Sequence, residues 1–150
     1  MLEAIRLASE GMRAGMGGPF GCVIVRDDEI IARGFNQVLN LNDPTAHAEI
    51  VAIRQACRAL DSFQLTDCEL YTSCEPCPMC LGAIYWARPV AVFYANTRED
   101  AAAIGFDDDF IYREIDLPIG ERSIPMRQMV LKEATKAFAE WRAKVDRTDY

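Results

Sequence analysis

Apolar residues recur at helical and strand spacings along most of the chain, and they predict helices alternating with strands. The opening segment, MLEAIRLASEGMRAG, has apolar side chains at helical spacing and predicts a helix that ends near Gly15. Two apolar runs, FGCVIV and EIIARGF, are separated by RDD, which is typical of a hairpin. A second helix is predicted from the segment that contains His47 to about Leu60.

The second half of the chain continues this alternation. CELYTS predicts a short strand, CPMCLGAIYWA a helix that stops near Arg88, and VAVFYA another strand. AAAIGF predicts a brief helix, and residues 105–124 are expected to be mostly irregular. MRQMVL is predicted to be an edge strand before a final helix over residues 132–145. The whole pattern predicts a single α/β domain over residues 1–150, with helices covering a sheet that is at least partly parallel.

Charge and apolar content narrow the class of protein. Acidic residues outnumber basic ones by 23 to 16, for a formal net charge of −7, which weighs against a partner held mainly through phosphates. No apolar run is long enough to predict a membrane span, and the early charges argue against a signal peptide. A cytoplasmic location is expected, where the six cysteines would stay reduced and a cluster of them indicates a metal rather than disulfides.

The only histidine, His47, and a closely spaced cysteine pair form a candidate metal site. Asp43 and Pro44 are predicted to cap and begin the helix, which would put His47 in or near its first turn. Cys77 and Cys80 are three residues apart in TSCEPCPMC, at the start of the next predicted helix. One nitrogen and two sulfurs match catalytic zinc, which takes three protein ligands and leaves a fourth position to water.

Glu49 favours a catalytic over a structural metal. It follows His47 by two residues, so the two side chains do not readily bind one metal from the same direction. A nearby carboxylate that is not a ligand is the group that takes a proton from a zinc-activated water and passes it on.

His47-Ala48-Glu49 followed by Pro76-Cys77-Pro78-Met79-Cys80 is the H-x-E and P-C-x-x-C pattern of zinc nucleobase deaminases. Over most of its length the chain resembles the cytidine deaminase-like superfamily, and within it the bacterial guanine deaminases. The stretches that carry the resemblance are GGPFG, NDPTAHAE, YTSCEPCPMCLGAIYWARP, GFDDDFIY and the terminal tyrosine. The resemblance implies a three-layer α-β-α sandwich with a mixed, roughly five-stranded sheet.

The resemblance also implies roles for individual residues. His47, Cys77 and Cys80 would bind one Zn²⁺ per chain. Glu49 would shuttle protons, and Asp108 would be a second catalytic residue that contacts the amidine edge of guanine and assists proton transfer. The residues expected to contact or enclose the purine are Phe20, Asn36, Ala48, Trp86, Asp108 and Tyr150. The terminal tyrosine would come from the partner in a domain-swapped homodimer.

The implied reaction is hydrolysis of guanine to xanthine and ammonia, a step of purine catabolism in which zinc hydroxide attacks C2. Guanine presents N1–H and its 2-amino group as donors, so an ionised Asp108 suits that edge. Adenine and cytosine present a ring acceptor there, which a carboxylate would repel. A buried polar partner rejects a base that leaves it unpaired.

The sequence is also compatible with other functions and with other site residues. The chain would share both motifs with a tRNA adenosine deaminase, and the same amidine edge occurs in aminotriazines. A structural zinc module would need a fourth sulfur, for which Cys74 is the candidate, although Glu75-Pro76 should carry it away from the other ligands. Asp107 or Asp109 could replace Asp108 in the aspartate run. Trp86 and the other purine contacts also have plain structural roles in core, strand ends or loops.

Overall fold

A mixed four-stranded sheet organises the chain, which a computed structural model describes for residues 1–106 and 108–149. The strands are β1 (Gly21–Arg26), β2 (Glu29–Phe35), β3 (Glu69–Cys74) and β4 (Ala91–Asn96). Their order is β2-β1-β3-β4, in which β1 is antiparallel to both of its neighbours and β3 is parallel to β4.

Seven α-helices occur among the described residues, and the chain forms two compact units. The helices are α1 (Leu2–Arg13), α2 (Val38–Leu41), α3 (Ala48–Leu60), α4 (Pro78–Ala87), α5 (Arg98–Ala103), α6 (Asp109–Asp116) and α7 (Ala134–Ala143). The first unit, Met1–Ile111, contains the whole sheet, and the second begins at Tyr112. None of the described helices is long and apolar enough to cross a membrane.

Helices cover both faces of the sheet in the first unit, and two glycines let them approach it closely. A Cβ on Gly21 would lie 2.2 Å from the carbonyl oxygen of Ala4 in α1. A Cβ on Gly34 would lie 2.2 Å from the carbonyl oxygen of Ala48 in α3. Because Gly21 faces α1 and Gly34 faces α3, the two helices lie on opposite faces, and the predicted three-layer α-β-α architecture is confirmed.

The main core lies between the sheet and the helices α3 and α4. Its buried members come from the central strands, from the inner face of α3 and from the end of α4, and they include Ile24, Leu70, Ala52 and Ile84. Small alanines along α3 allow this close approach, so the start of the helix is held directly against the strands.

The predicted hairpin is confirmed. Asp27 and Asp28, between β1 and β2, both have positive φ, at 50° and 63°. A two-residue turn with positive φ at both positions matches the right-handed twist of the flanking strands. Aspartate tolerates that conformation better than most residues do, which explains why RDD joins the two runs.

The start of α3 differs from the prediction. The helix begins at Ala48, and His47 is its N-cap with extended backbone. Asp43 and Pro44 lie in a turn before it, where the Asp43 carboxylate accepts hydrogen bonds from the backbone N–H and hydroxyl of Thr45, each at 2.8 Å. Asp43 therefore caps its own local turn, an alternative that aspartate offers as readily as a helix cap.

Two predictions for the C-terminal third were wrong. Residues 105–124, expected to be mostly irregular, contain α6, because the aspartates that suggested a turn also suit the first turn of a helix. MRQMVL, residues 126–131, forms no strand in the described chain, so the sheet has four strands rather than five. A strand requires a hydrogen-bonded neighbour, and an apolar pattern alone does not supply one.

We expect Gly34→Ala to destabilise the protein, because its Cβ would meet the backbone of α3 and not a movable side chain. The thermal midpoint should fall by about 5–10 °C at equal zinc loading. Gly82→Ala is the matched control, since a Cβ at this α4 position meets nothing within 4 Å. Its midpoint should stay the same or rise. Equal midpoints for the two variants would contradict the close contact.

Candidate active site

The N-termini of α3 and α4 bring together the three predicted metal ligands. His47 is the N-cap of α3, Cys77 is the N-cap of α4, and Cys80 lies in the first turn of α4. His47 Nδ1 lies 3.5 Å from the Sγ atom of each cysteine. One donor atom from each residue falls within 4.8 Å of the others, which is close enough for all three to bind one ion.

The spacing of these donors fits tetrahedral zinc. Bond lengths of about 2.3 Å to sulfur and about 2.0–2.1 Å to nitrogen place the two kinds of donor about 3.5 Å apart around a tetrahedral ion. The separations of 3.5 Å between His47 Nδ1 and the two sulfurs agree with that value. One nitrogen and two sulfurs form the donor set of an open zinc site with a fourth position for water.

The groups around Cys77 favour its thiolate form, which is the form that binds a cation. Its pKa is lowered to about 4, first by a hydrogen bond from Cys80 and then by one from His47. The pKa of His47 is raised, chiefly by the same bond with Cys77. The pKa of Cys80 is raised, first by its bond to Cys77 and then by burial. The N-terminal ends of α3 and α4 add partial positive charge beside the sulfurs, which favours the thiolate form.

Glu49 is buried next to the metal ligands and is not one of them. It occupies the second residue of α3 and is only 5% exposed. Its Oε1 accepts a hydrogen bond from the Thr72 hydroxyl at 3.1 Å, and its Oε2 lies 3.4 Å from Cys80 Sγ. Burial raises the pKa of Glu49, because desolvation disfavours the charged carboxylate.

A cavity of about 560 Å³ opens beside the metal ligands and Glu49. This volume lies in the range of small-molecule sites. All of its lining residues belong to the first unit. They are Gly17, Gly18, Phe20, Asn36, Val38, Leu39, Pro44, His47, Glu49, Cys74, Glu75, Cys77, Phe106 and Asp108.

Asn36 is held in one orientation at the cavity. Its side-chain oxygen accepts hydrogen bonds from the backbone N–H groups of Gly18, at 3.3 Å, and Val38, at 3.2 Å. These bonds occupy the carbonyl end, so the amide NH₂ is the donor that Asn36 offers to a ligand. A Cβ on Gly17 would lie 2.1 Å from the same oxygen, so only glycine allows this loop so close.

Aromatic and acidic groups complete the cavity wall. The ring of Phe20 meets the ring of Phe106 edge-to-face, with centroids 4.8 Å apart. Asp108 lines the cavity, whereas Asp109 is exposed at the start of α6. Phe106 was not among the predicted site residues, although it lies only two positions before Asp108. The aromatic residue of GFDDD, directly before the aspartate run, was the signal that could have identified it.

Two other predicted purine contacts in the described part of the chain do not line this cavity. Ala48 is fully buried, with its backbone packed toward Gly34. Trp86 lies on α4 with 63% of its surface exposed. Tyr150 lies outside the described residues, as does Asp107 of the aspartate run. Of the predicted purine contacts, Phe20, Asn36 and Asp108 therefore line the cavity.

The sulfur of Cys74 does not join the metal group. It donates to the backbone carbonyl of Thr97 at 3.4 Å, away from the three ligands. The metal-ligand group found in the described part of the chain contains His47, Cys77 and Cys80 alone. The alternative of a structural zinc closed by a fourth sulfur is therefore not supported. Glu75 accepts the backbone N–H of Arg98 at 3.2 Å and so anchors the start of α5.

Known proteins share this sequence and fold. Residues 1–96 match the cytidine and deoxycytidylate deaminase zinc-binding region. The guanine deaminase of Bacillus subtilis (strain 168) is 61% identical over 99% of this chain and 95% of that protein. An X-ray structure of guanine deaminase from Bacillus subtilis has a TM-score of 0.97 and 60% identity, covering 99% of this chain and 95% of that one. The tRNA-specific adenosine deaminase of Aquifex aeolicus (strain VF5) is 34% identical over 85% of this chain and 82% of that protein.

The matched region contains the complete sheet, the three metal ligands and Glu49. The match therefore covers the parts of the chain on which the zinc chemistry depends, and zinc is the cofactor of this site. The chain belongs to the cytidine and deoxycytidylate deaminase family of zinc-binding enzymes.

Proposed function

We propose that this enzyme hydrolyses guanine to xanthine and ammonia. The observation that carries the proposal is 61% identity to a guanine deaminase over 99% of the chain, in a protein whose cavity is lined by the metal ligands and a buried glutamate. Relatives named as tRNA-specific adenosine deaminases are less similar, at 34% identity for the one from Aquifex aeolicus. The net charge of −7 also favours a free base over a phosphate-rich substrate.

Glu49 performs the proton transfers in this proposal. When bound, zinc supplies the activated water that hydrolysis needs at neutral pH. The Glu49 carboxylate would accept one proton from the attacking water and pass it to a ring nitrogen. It would then take the second proton of that water from the hydroxyl formed on C2 and pass it to the departing amine, which leaves as ammonia. Its burial supports the role, because a carboxyl group with a raised pKa exchanges protons more readily near pH 7 than an exposed one.

Asp108, Asn36 and Phe20 select and hold the base. The Asp108 carboxylate accepts hydrogen bonds from N1–H and the 2-amino group of guanine. The amide NH₂ of Asn36 donates to an acceptor on the purine, since its oxygen already binds two backbone N–H groups. Phe20 provides an aromatic wall, and Phe106 packs edge-on against it.

We further propose a cytoplasmic homodimer in which the C-terminal segments are exchanged and the residues 1–150 form one deaminase domain. The last strand of the described sheet, β4, carries Phe93 and Tyr94, which are 42% and 51% exposed. The second unit exposes Met129 and Val130 at 78% and 85%. Apolar surface of this extent is typical of chains that bury it against a partner. The two ligand thiols must stay reduced to hold zinc, which suits the cytoplasm.

Exchange would also give roles to Trp86 and Tyr150, the two remaining predicted aromatic contacts of the base. Trp86 is exposed on α4, on the helix that carries both ligand cysteines. In the exchanged dimer, Tyr150 of one chain closes the cavity of the other. The base would then be enclosed by groups from two chains, which excludes water better than the single cavity does.

Zinc-loaded enzyme should release ammonia from guanine with formation of xanthine, and should act far more slowly on adenine, cytosine, cytidine and aminotriazines. Coupled ammonia detection with chromatography of the products measures this. Glu49→Gln is the matched negative control, because it should keep zinc and fold while losing turnover by about 10³-fold. Faster turnover of an aminotriazine, or activity only on a tRNA anticodon loop, would refute the guanine assignment.

Asp108→Asn should lower kcat/KM for guanine by about 10²-fold or more, because the amide both loses the charge and presents donors to the donor edge of the base. Zinc content should not change. Asp109→Asn is the matched control and should retain activity, since Asp109 is exposed at the start of α6. The reverse pattern would move the substrate contact to Asp109.

Mixed dimers test the exchanged C-terminus. Glu49→Gln and Tyr150→Ala are each expected to be nearly inactive as homodimers. After co-expression, half of the dimers should be mixed, and each should contain one intact site, which restores about a quarter of the wild-type activity. Activity no higher than the mean of the two homodimers would mean that Tyr150 acts within its own chain, or not at all.

A further inference from the structure

Thr72 lies at the centre of the sheet, where its backbone is fixed on both sides. It belongs to β3, and its pairing partners are Cys22 on β1 and Tyr94 on β4. Its side chain has no exposed surface. It does not line the cavity, so it does not contact a bound base. A side chain on a central strand is among the most rigidly placed groups in a fold.

The hydroxyl of Thr72 points at the group proposed to transfer protons. It donates to Oε1 of Glu49 across 3.1 Å, from the sheet to the first turn of α3. Within the described residues, Cys80 is the other side chain bonded to this carboxylate, at 3.4 Å from Oε2. One oxygen of the carboxylate is therefore bonded to the sheet, and the other oxygen faces a metal ligand.

The two contacts come from groups of different kinds. Cys80 belongs to the metal-ligand group, whereas Thr72 does not. The hydrogen bond from Thr72 to Glu49 therefore comes from a side chain that has no part in binding the metal.

We propose that Thr72 is a positioning residue that holds the Glu49 carboxylate in the orientation from which it exchanges protons with the substrate. The role rests on the proposed deamination, because Thr72 acts only through Glu49. The argument is geometric: a rigid strand position, a fully buried hydroxyl and one hydrogen bond to the carboxylate. Such a residue affects the chemical step and not the binding of the base.

Thr72→Val removes the hydroxyl and keeps a branched side chain of similar size that suits a strand. Its kcat for guanine should be about 30-fold lower, since hydrogen bonds to charged groups are among the stronger ones. Its KM should change by less than about threefold, because Thr72 does not line the cavity. Thr72→Ser restores the hydroxyl and should recover most of kcat. Zinc content should be equal in all variants.

Ser73→Ala is the matched control for a lost buried hydroxyl. Ser73 is the next residue of β3, is 3% exposed, and accepts the backbone N–H of Gly21 at 3.0 Å, away from Glu49. Its thermal midpoint should fall while kcat stays near the wild-type value. If Ser73→Ala and Thr72→Val lost kcat equally, or if Thr72→Ser failed to recover it, the positioning role would be overturned.

A second measurement does not depend on turnover. Thermal midpoints of the zinc-loaded wild type, Thr72→Val, Glu49→Ala and the double variant form a cycle. The loss caused by Thr72→Val should be smaller in the Glu49→Ala background, and additive losses would overturn the proposed contact. If the wild type released no ammonia from guanine, the guanine assignment would be wrong, but this result would not decide whether Thr72 holds Glu49. The cycle would still decide whether Thr72 holds Glu49.

Discussion

The first turn of α3 must lie directly against the sheet, and the rest of the site depends on this constraint. His47 has to reach the thiols of α4, while Glu49, two residues later, has to meet Thr72 on β3. Both contacts require the helix backbone to approach β2 closely. Gly34 permits that approach, because any side chain there would collide with the carbonyl oxygen of Ala48. A backbone contact between a strand and a helix thus determines where the chemistry takes place.

Burial of a carboxylate beside two sulfurs would ordinarily be unfavourable. Glu49 is 5% exposed, and desolvation raises its pKa. Unpaired buried charge is costly, and such sites persist when hydrogen bonds or a metal ion offset that cost. Here the Thr72 hydroxyl contributes one hydrogen bond, and a zinc ion on the adjacent ligands would compensate the negative charge of the thiolates. The same burial that makes the site costly to fold also raises the pKa of the Glu49 carboxyl group.

The cavity is lined both by these groups and by polar and aromatic side chains, several of which are fixed by neighbouring groups. Asn36 is oriented by two backbone N–H groups, so it offers one kind of hydrogen-bonding group to a ligand. Phe20 and Phe106 support each other edge-to-face, and Asp108 lines the wall after them. Selectivity for one base follows when fixed donors and acceptors would be left unpaired by another. Loops hold most of these groups, whereas secondary-structure elements hold the metal ligands and Glu49.

The sequence by itself determined most of the secondary-structure elements and the residues of the metal site. The four strands in the sheet, the hairpin and the helices around His47 and Cys77 follow from periodicity and turn chemistry, and the H-x-E and C-x-x-C spacing identifies the zinc ligands. Local patterns suffice within each element and each motif, because His47 and Glu49, like Cys77 and Cys80, are close together in the chain. The cap of α3 and helix α6 were mispredicted, since aspartate suits turns and helix starts equally well.

Only the tertiary structure decided which distant residues meet. Phe106 reaches Phe20 across 86 positions, a contact that no local pattern encodes. Thr72 looks like an ordinary strand residue until the packing of α3 on β3 brings it to Glu49. MRQMVL has a strand-like composition but no neighbour to pair with in the described chain. Periodicity reports which face of an element is apolar, whereas the partner that covers this face depends on how the elements pack.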